Sequence, residues 1–112
     1  MDVLIQADGV TLTEAIKDAI DEKMGHVEQY APRAVRARVR LRKVSAHPSP
    51  RQYVVRVLVE IPGADLSAEE SRADVINALD MVTGKIERRL RKRKTERLAR
   101  RERKSPRIRE KS

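Results

Sequence analysis

Hydrophobic residues recur with two periods along this chain, and the switches between them outline six elements. Met1–Gln6 alternates, with Val3 and Ile5 on one side, as a short strand does. Asp8-Gly9 then turns the chain. Thr11 and Glu14 fit a capping box, T-x-x-E, in which each side chain satisfies a free backbone N–H at a helix start. Leu12, Ile16, Ile20, Met24 and Val27 follow at helical spacing to about Tyr30, and Pro32 stops the helix. Residues 34–44, AVRARVRLRKV, change to period two: Val35, Ala37, Val39 and Leu41 point one way, Arg36, Arg38, Arg40 and Arg42 the other. Ser45–Arg51, with Pro48 and Pro50, reads as a loop. A second long strand runs from about Gln52 to Ile61, with Tyr53, Val55, Val57, Val59 and Ile61 inward and Val54, Arg56, Leu58 and Glu60 outward. Pro62-Gly63 turns into a short strand, Asp65–Glu70. Ser71–Asp74 leads to a helix whose stripe is Val75, Leu79, Val82, Ile86 and Leu90.

The order β-α-β-β-β-α, with one apolar stripe per helix and one apolar face per long strand, predicts an α+β domain. Its expected form is a four-stranded, antiparallel-type sheet with both helices on one face and the other face open. No repeat or second domain is visible. Residues 1–101 are expected to form the domain, and 102–112, polar and containing Pro106, a basic disordered tail.

Composition narrows the function classes. The 39% apolar content supports one modest core of Val, Leu, Ile and Ala. Cysteine is absent, which removes disulfides and thiolate metal sites. No apolar run approaches the roughly 20 residues that span a bilayer, and MDVLIQADG has no cationic segment followed by an apolar one, so a cytoplasmic location is expected. The net charge of +9 is unevenly placed. Residues 1–30 carry two basic and seven acidic side chains, 31–63 eight and one, 64–84 one and five, and 85–112 fifteen and four. Two basic blocks separated by acidic ones predict a surface with two positive poles.

The first pole is the row Arg36, Arg38, Arg40 and Arg42. Successive members stand about 6.6–6.8 Å apart along a strand, close to the spacing of phosphates on a nucleic-acid strand. Guanidinium forks suit phosphate. Arg56 on the next strand, with Lys43 and Arg51 at its end, widens the patch. The second pole is Lys85, Arg88, Arg89, Arg91, Lys92, Arg93 and Lys94, continuing through Arg97, Arg100 and Arg101. Charge that keeps a sheet face soluble, or a solvated basic tail, is the plain alternative for each pole. Single-strand binders stack bases on aromatic residues, but this chain has no Phe or Trp, and Tyr53 falls on the inward register. Recognition is therefore expected through phosphates and the shape of a folded RNA, with strong salt dependence.

Catalytic signals are weak, and neither an enzyme, a metal, a cofactor nor a small-molecule substrate is expected. Glu22 and His26 make only two metal ligands at helical spacing. His47 shares a Pro-rich loop with Ser45 and Ser49, and Glu69 and Glu70, adjacent on a strand, point to opposite faces. No P-loop or G-x-G-x-x-G is present.

The residues do resemble a family, the ribosome hibernation-promoting factors, also called protein Y or ribosome-associated inhibitors and historically sigma-factor modulation proteins. The first helix resembles it through Thr13-Glu14-Ala15-Ile16, Ile20, Lys23, Val27, Glu28 and Tyr30. The second does so through Asp74, Ala78, Leu79, Asp80, Lys85, Ile86, Glu87, Arg88, Leu90, Arg91, Lys92, Lys94 and Thr95, preceded by Ala68-Glu69-Glu70. The resemblance covers roughly residues 1–97. It implies a β-α-β-β-β-α fold similar to double-stranded-RNA-binding domains. It also implies binding of the small ribosomal subunit and its 16S rRNA between head and body, in the mRNA and tRNA path at the A and P sites, where ribosomes are held idle. The family's basic helix end falls on Lys85, Arg88, Arg91, Lys92 and Lys94, and its basic strand positions on Arg36–Arg42. Two positions depart from the family: Ile76 stands where an aromatic is usual, and Arg89 where glutamine is frequent. Long members add a C-terminal dimerisation domain. This chain ends at Ser112, so it is similar to a short form or to the N-terminal half of a long one, expected to be monomeric when free. A general structured-RNA or ribosome-assembly binder, and a protein-interaction modulator of transcription, are the competing functions.

Overall fold

The computed structural model describes residues 1–104, and side chains as far as Ala99. Its elements are β1 (Asp2–Asp8), α1 (Glu14–Tyr30), β2 (Arg36–Lys43), β3 (Tyr53–Glu60), β4 (Leu66–Arg72) and α2 (Val75–Lys104). All six expected elements are present, in an α+β fold. α2 continues three residues past the domain end expected at 101; the rest of the expected tail, 105–112, lies outside the described residues.

The helix start differs from the expected box. Thr13, not Thr11, is the N-cap, and its hydroxyl accepts from the Ile16 N–H at 3.2 Å. Glu14 becomes the first helical residue, where a carboxylate faces the positive end of the helix. Val10 and Leu12, in the irregular segment before the helix, pack against the core. α1 ends as expected before Pro32, with the Ala31 N–H donating to Glu28 and Val27 carbonyls.

The sheet has order β1-β2-β3-β4 and is mixed, not antiparallel throughout. β1 pairs parallel with β2, in register Asp2 with Arg36 through Asp8 with Arg42. β2–β3 and β3–β4 are antiparallel. The reason is connectivity: α1 carries the chain from one end of the sheet to the other, and such a crossover delivers the next strand parallel. β4 also runs two residues further than expected, because Ser71 and Arg72 still pair with Val54 and Tyr53.

Both helices cover one face. Ile20, Met24 and Val27 of α1 and Val75, Ala78, Leu79, Val82, Ile86 and Leu90 of α2 share a core with Ala37, Val39, Leu41, Val55, Val57 and Val59. Tyr53 is partly buried against it, on the inward register as expected. Lys23 of α1 bonds Asp80 of α2 at 2.8 Å, a charge-assisted link between the helices that raises the lysine pKa. Among the described residues, Leu90 is the last buried one of α2. The 14 residues that follow rise about 21 Å beyond it, so the molecule is long, 71 × 26 × 19 Å.

Candidate nucleic-acid interface

Arg36, Arg38, Arg40 and Arg42 stand in a row on the open sheet face, as period two requires. The structure adds what the strand alone hid: each has a carboxylate partner on another strand. Glu60 on β3 accepts from Arg38 at 2.8 Å and from Arg36 at 3.5 Å. Asp8 on β1 holds Arg40 at 3.1 Å, and Glu69 on β4 lies 3.7 Å from Arg42. The hydrogen bond from Arg38, against the opposing effect of burial and with the charges of Arg36 and Arg38 added, keeps the Glu60 carboxyl below the usual range. By register this face presents five arginines (36, 38, 40, 42 and 56) and four acids (Asp2, Asp8, Glu60 and Glu69), so its net charge is only +1. Arg56 is the exception. It makes no ion pair or hydrogen bond among the described residues, and it sits directly opposite Arg40. Like charges across a strand pair are destabilising, and Glu69, opposite Arg56 on the β4 side, offsets this repulsion by register without an ion pair to Arg56. Lys43 is not in the row. It pairs with Tyr53 on the other register and stands beside Gly9.

The cations of α2 divide by direction. Lys85, Arg89 and Arg93 form an i, i+4, i+8 stripe turned toward β4. Lys85 donates to the Glu69 carbonyl at 3.3 Å and pairs with the Glu70 carboxylate at 3.0 Å. Arg89 donates to the Ser67 carbonyl. Arg93 donates to the Ala64 and Asp65 carbonyls at 2.8 and 3.1 Å. β4 is an edge strand, and its outward carbonyls would otherwise be open to another chain. About 6 Å per four helical residues against about 6.8 Å per strand dipeptide lets one cation meet each alternate carbonyl. Glu70, bonded first to Lys85 and helped by Arg72, lies below the usual carboxylate range although burial opposes this. Glu69 and Glu70 thus lie on opposite faces, as read from the strand.

The remaining helix cations are free. Arg88, Lys92, Lys94 and Arg97 are exposed or half-exposed and make no ion pair or hydrogen bond among the described residues. Arg91 lies over the Tyr30 ring, 5.6 Å from its centroid. Tyr30 and the nearby Arg33 were not assigned a role from the sequence; the signal available was an aromatic and a cation flanking a helix-stopping proline. Side chains of Arg100 and Arg101 lie outside the described residues. In the loop, the Ser45 hydroxyl is engaged by the main chain of His47 and not by its ring. Among the described residues, no group of three or more His, Asp or Glu side chains is arranged to hold a metal, and no helix is long and apolar enough to cross a membrane.

A small α+β domain with one open sheet face and a cationic helical arm is the class that this geometry defines. The chain belongs to the family described as sigma 54 modulation protein / S30EA ribosomal protein, whose model matches residues 3–98. It is 34% identical over 86 residues to the ribosome hibernation promotion factor of Deinococcus radiodurans, covering 77% of this chain and 45% of that protein. It is likewise 34% identical over 94 residues to that of Staphylococcus aureus, covering 81% and 47%. The chain thus spans about half the length of these relatives. The fold is similar to the N-terminal domain of Thermus thermophilus protein Y, with TM-score 0.68, 21% identity and 82% and 98% of the two chains covered. It is similar also to a ribosomal subunit interface protein from Coxiella burnetii, with TM-score 0.73, 18% identity and 85% and 99% covered.

Proposed function

We propose that this domain is a cytoplasmic, non-enzymatic ribosome hibernation factor. It binds the 16S rRNA of the small subunit in the mRNA and tRNA path near the A and P sites and blocks translation by occupying that path. Family membership supports the ribosomal partner. The observation that carries the RNA contact is the set of unpaired cations on α2: Arg88, Lys92, Lys94 and Arg97 extend along a helix anchored by Leu90, and none of them makes an ion pair or hydrogen bond among the described residues. A surface kept positive for solubility alone gains nothing from gathering its cations on one projecting helix. The sheet face contributes chiefly at Arg56, and Lys85, Arg89 and Arg93 serve mainly to hold β4 and the turn before it.

Co-sedimentation with 30S subunits, 50S subunits and free duplex RNA tests this at about 100 and 300 mM salt, where screening lengths bracket physiological conditions. Saturable binding to 30S that tRNA or mRNA competes away is the expected result. Equal binding to all three, lost at the higher salt, would leave a general structured-RNA binder. Binding that survives nuclease would point to a protein partner.

A further inference from the structure

The end of α1, the turn between β3 and β4 and the middle of α2 enclose a groove of about 570 Å³. Volumes of about 300–1,000 Å³ are typical of small-molecule sites. Tyr30, Pro32, Ile61, Pro62 and Leu90 supply its apolar surface. Arg33, Arg93, Lys94 and Arg97 supply four cations, and no carboxylate lines it. Arg93 is engaged by carbonyls of the β3–β4 turn, whereas Arg33, Lys94 and Arg97 have no polar partner among the described residues. Tyr30 is 42% exposed, an unusual position for one of only two aromatic residues in the chain. Arg91 lies over its ring, while the residue still lines the groove.

We propose that this groove receives one unstacked nucleotide of a bound RNA, its base against Tyr30 and Pro62 and its phosphates against Arg33, Lys94 and Arg97. The inference rests on the RNA reading above and deepens it. An aromatic face beside cations suits a base joined to phosphates. An acidic peptide would use the cations and leave the ring unused. A second copy of this chain would bring its own basic arm against this one. RNA recognition by this domain is then not confined to phosphates: one base is held as well.

The test compares two RNA hairpins, one with a single bulged purine and one without, titrated at about 100 mM salt against the wild-type domain and Tyr30→Leu. Tyr30→Leu keeps apolar cover but removes the stacking plane, and its circular dichroism and melting temperature report that the fold is intact. The expected result is about tenfold tighter binding of the bulged hairpin by wild type, the scale of one base–aromatic stack. Tyr30→Leu should bring the two hairpins level while binding the unbulged one as wild type does. Tyrosine fluorescence should also be quenched by the bulged hairpin, since Tyr53, the other tyrosine, is partly buried in the core. Equal binding of both hairpins by wild type, an unchanged preference in Tyr30→Leu, or tighter binding of a polyglutamate peptide of equal charge would overturn the proposal. Any of these together with selective 30S co-sedimentation removes the nucleotide site alone, whereas loss of 30S selectivity with the bulge preference intact removes the ribosomal reading alone.

Discussion

Replacing Arg88, Lys92, Lys94 and Arg97 together with glutamine should remove most salt-dependent binding while leaving the fold unchanged. Each phosphate contact contributes about 0.7–0.9 to the slope of log K against log salt, so four lost contacts lower that slope by about 2.8–3.6. From about 50 to 200 mM salt, wild type should therefore lose affinity about 50- to 150-fold more steeply than the variant. Stability should barely move. Among the described residues none of the four side chains has a polar partner or belongs to the buried core, and glutamine matches arginine and lysine in helix propensity. The variant also removes the like-charge pair Arg88–Lys92 at i, i+4. The melting temperature should stay within about 4 °C of wild type, the shift that somewhat under 1 kcal/mol produces in a domain of this size. Filter binding to 30S subunits across a salt series, with calorimetry on the same samples, makes the measurement. A slope change below about one, or a fall in melting temperature well beyond that limit, would refute the division of α2 into free and engaged cations.

Three further outcomes follow from the ion pairs. Glu60→Gln releases Arg36 and Arg38, so 30S affinity should rise a few-fold in the same assay; a fall would mean that the open face does not meet RNA. Glu70 has a folded pKa below its unfolded value, so its contribution is present above the unfolded pKa and disappears as pH falls through the folded one. Glu70→Gln should accordingly flatten the loss of stability on acidification below about pH 4.5, and an equally steep acid transition in variant and wild type would exclude this carboxylate as its source. Arg89→Ala with Arg93→Ala uncovers the Ser67 carbonyl of β4 and the Ala64 and Asp65 carbonyls just before it, at a cost of about 0.5–1.5 kcal/mol per hydrogen bond; self-association by sedimentation velocity should increase, and an unchanged monomer would show that the stripe does not guard the edge.

Much of the architecture was legible in local periodicity, and the failures came where the answer lay in another segment. The alternation in β2 identified both faces of that strand, and the three- and four-residue steps from Val75 to Leu90 identified the buried stripe of α2. The parallel pairing of β1 with β2 was missed because strand alternation is the same for either direction; the helix between the two strands was the available clue. The capping threonine was displaced by two residues because two threonines precede Glu14, and only packing of Leu12 decides between them. For the candidate interface, the arginine row was visible but its neutralisation was not, since Asp8, Glu60 and Glu69 arrive from three different strands. The stripe of Lys85, Arg89 and Arg93 looked like part of one basic block. Only its alignment with alternate carbonyls of β4 separates it from Arg88 and Lys92.

The arm beyond Leu90 has a mechanical consequence. Arg93 and Arg97, like Arg88 and Lys92, are like charges one turn apart, and among the described residues no side chain after Leu90 is buried to resist fraying. Each such pair opposes helix formation by a few tenths of a kcal/mol. A polyanion lying along the arm cancels that repulsion, so ligand and helix favour each other reciprocally. The domain then behaves as a stiff handle with a conditional blade: amide protons after Leu90 should exchange faster than those of β2 and β3 in the free protein and slow selectively when the polyanion is bound.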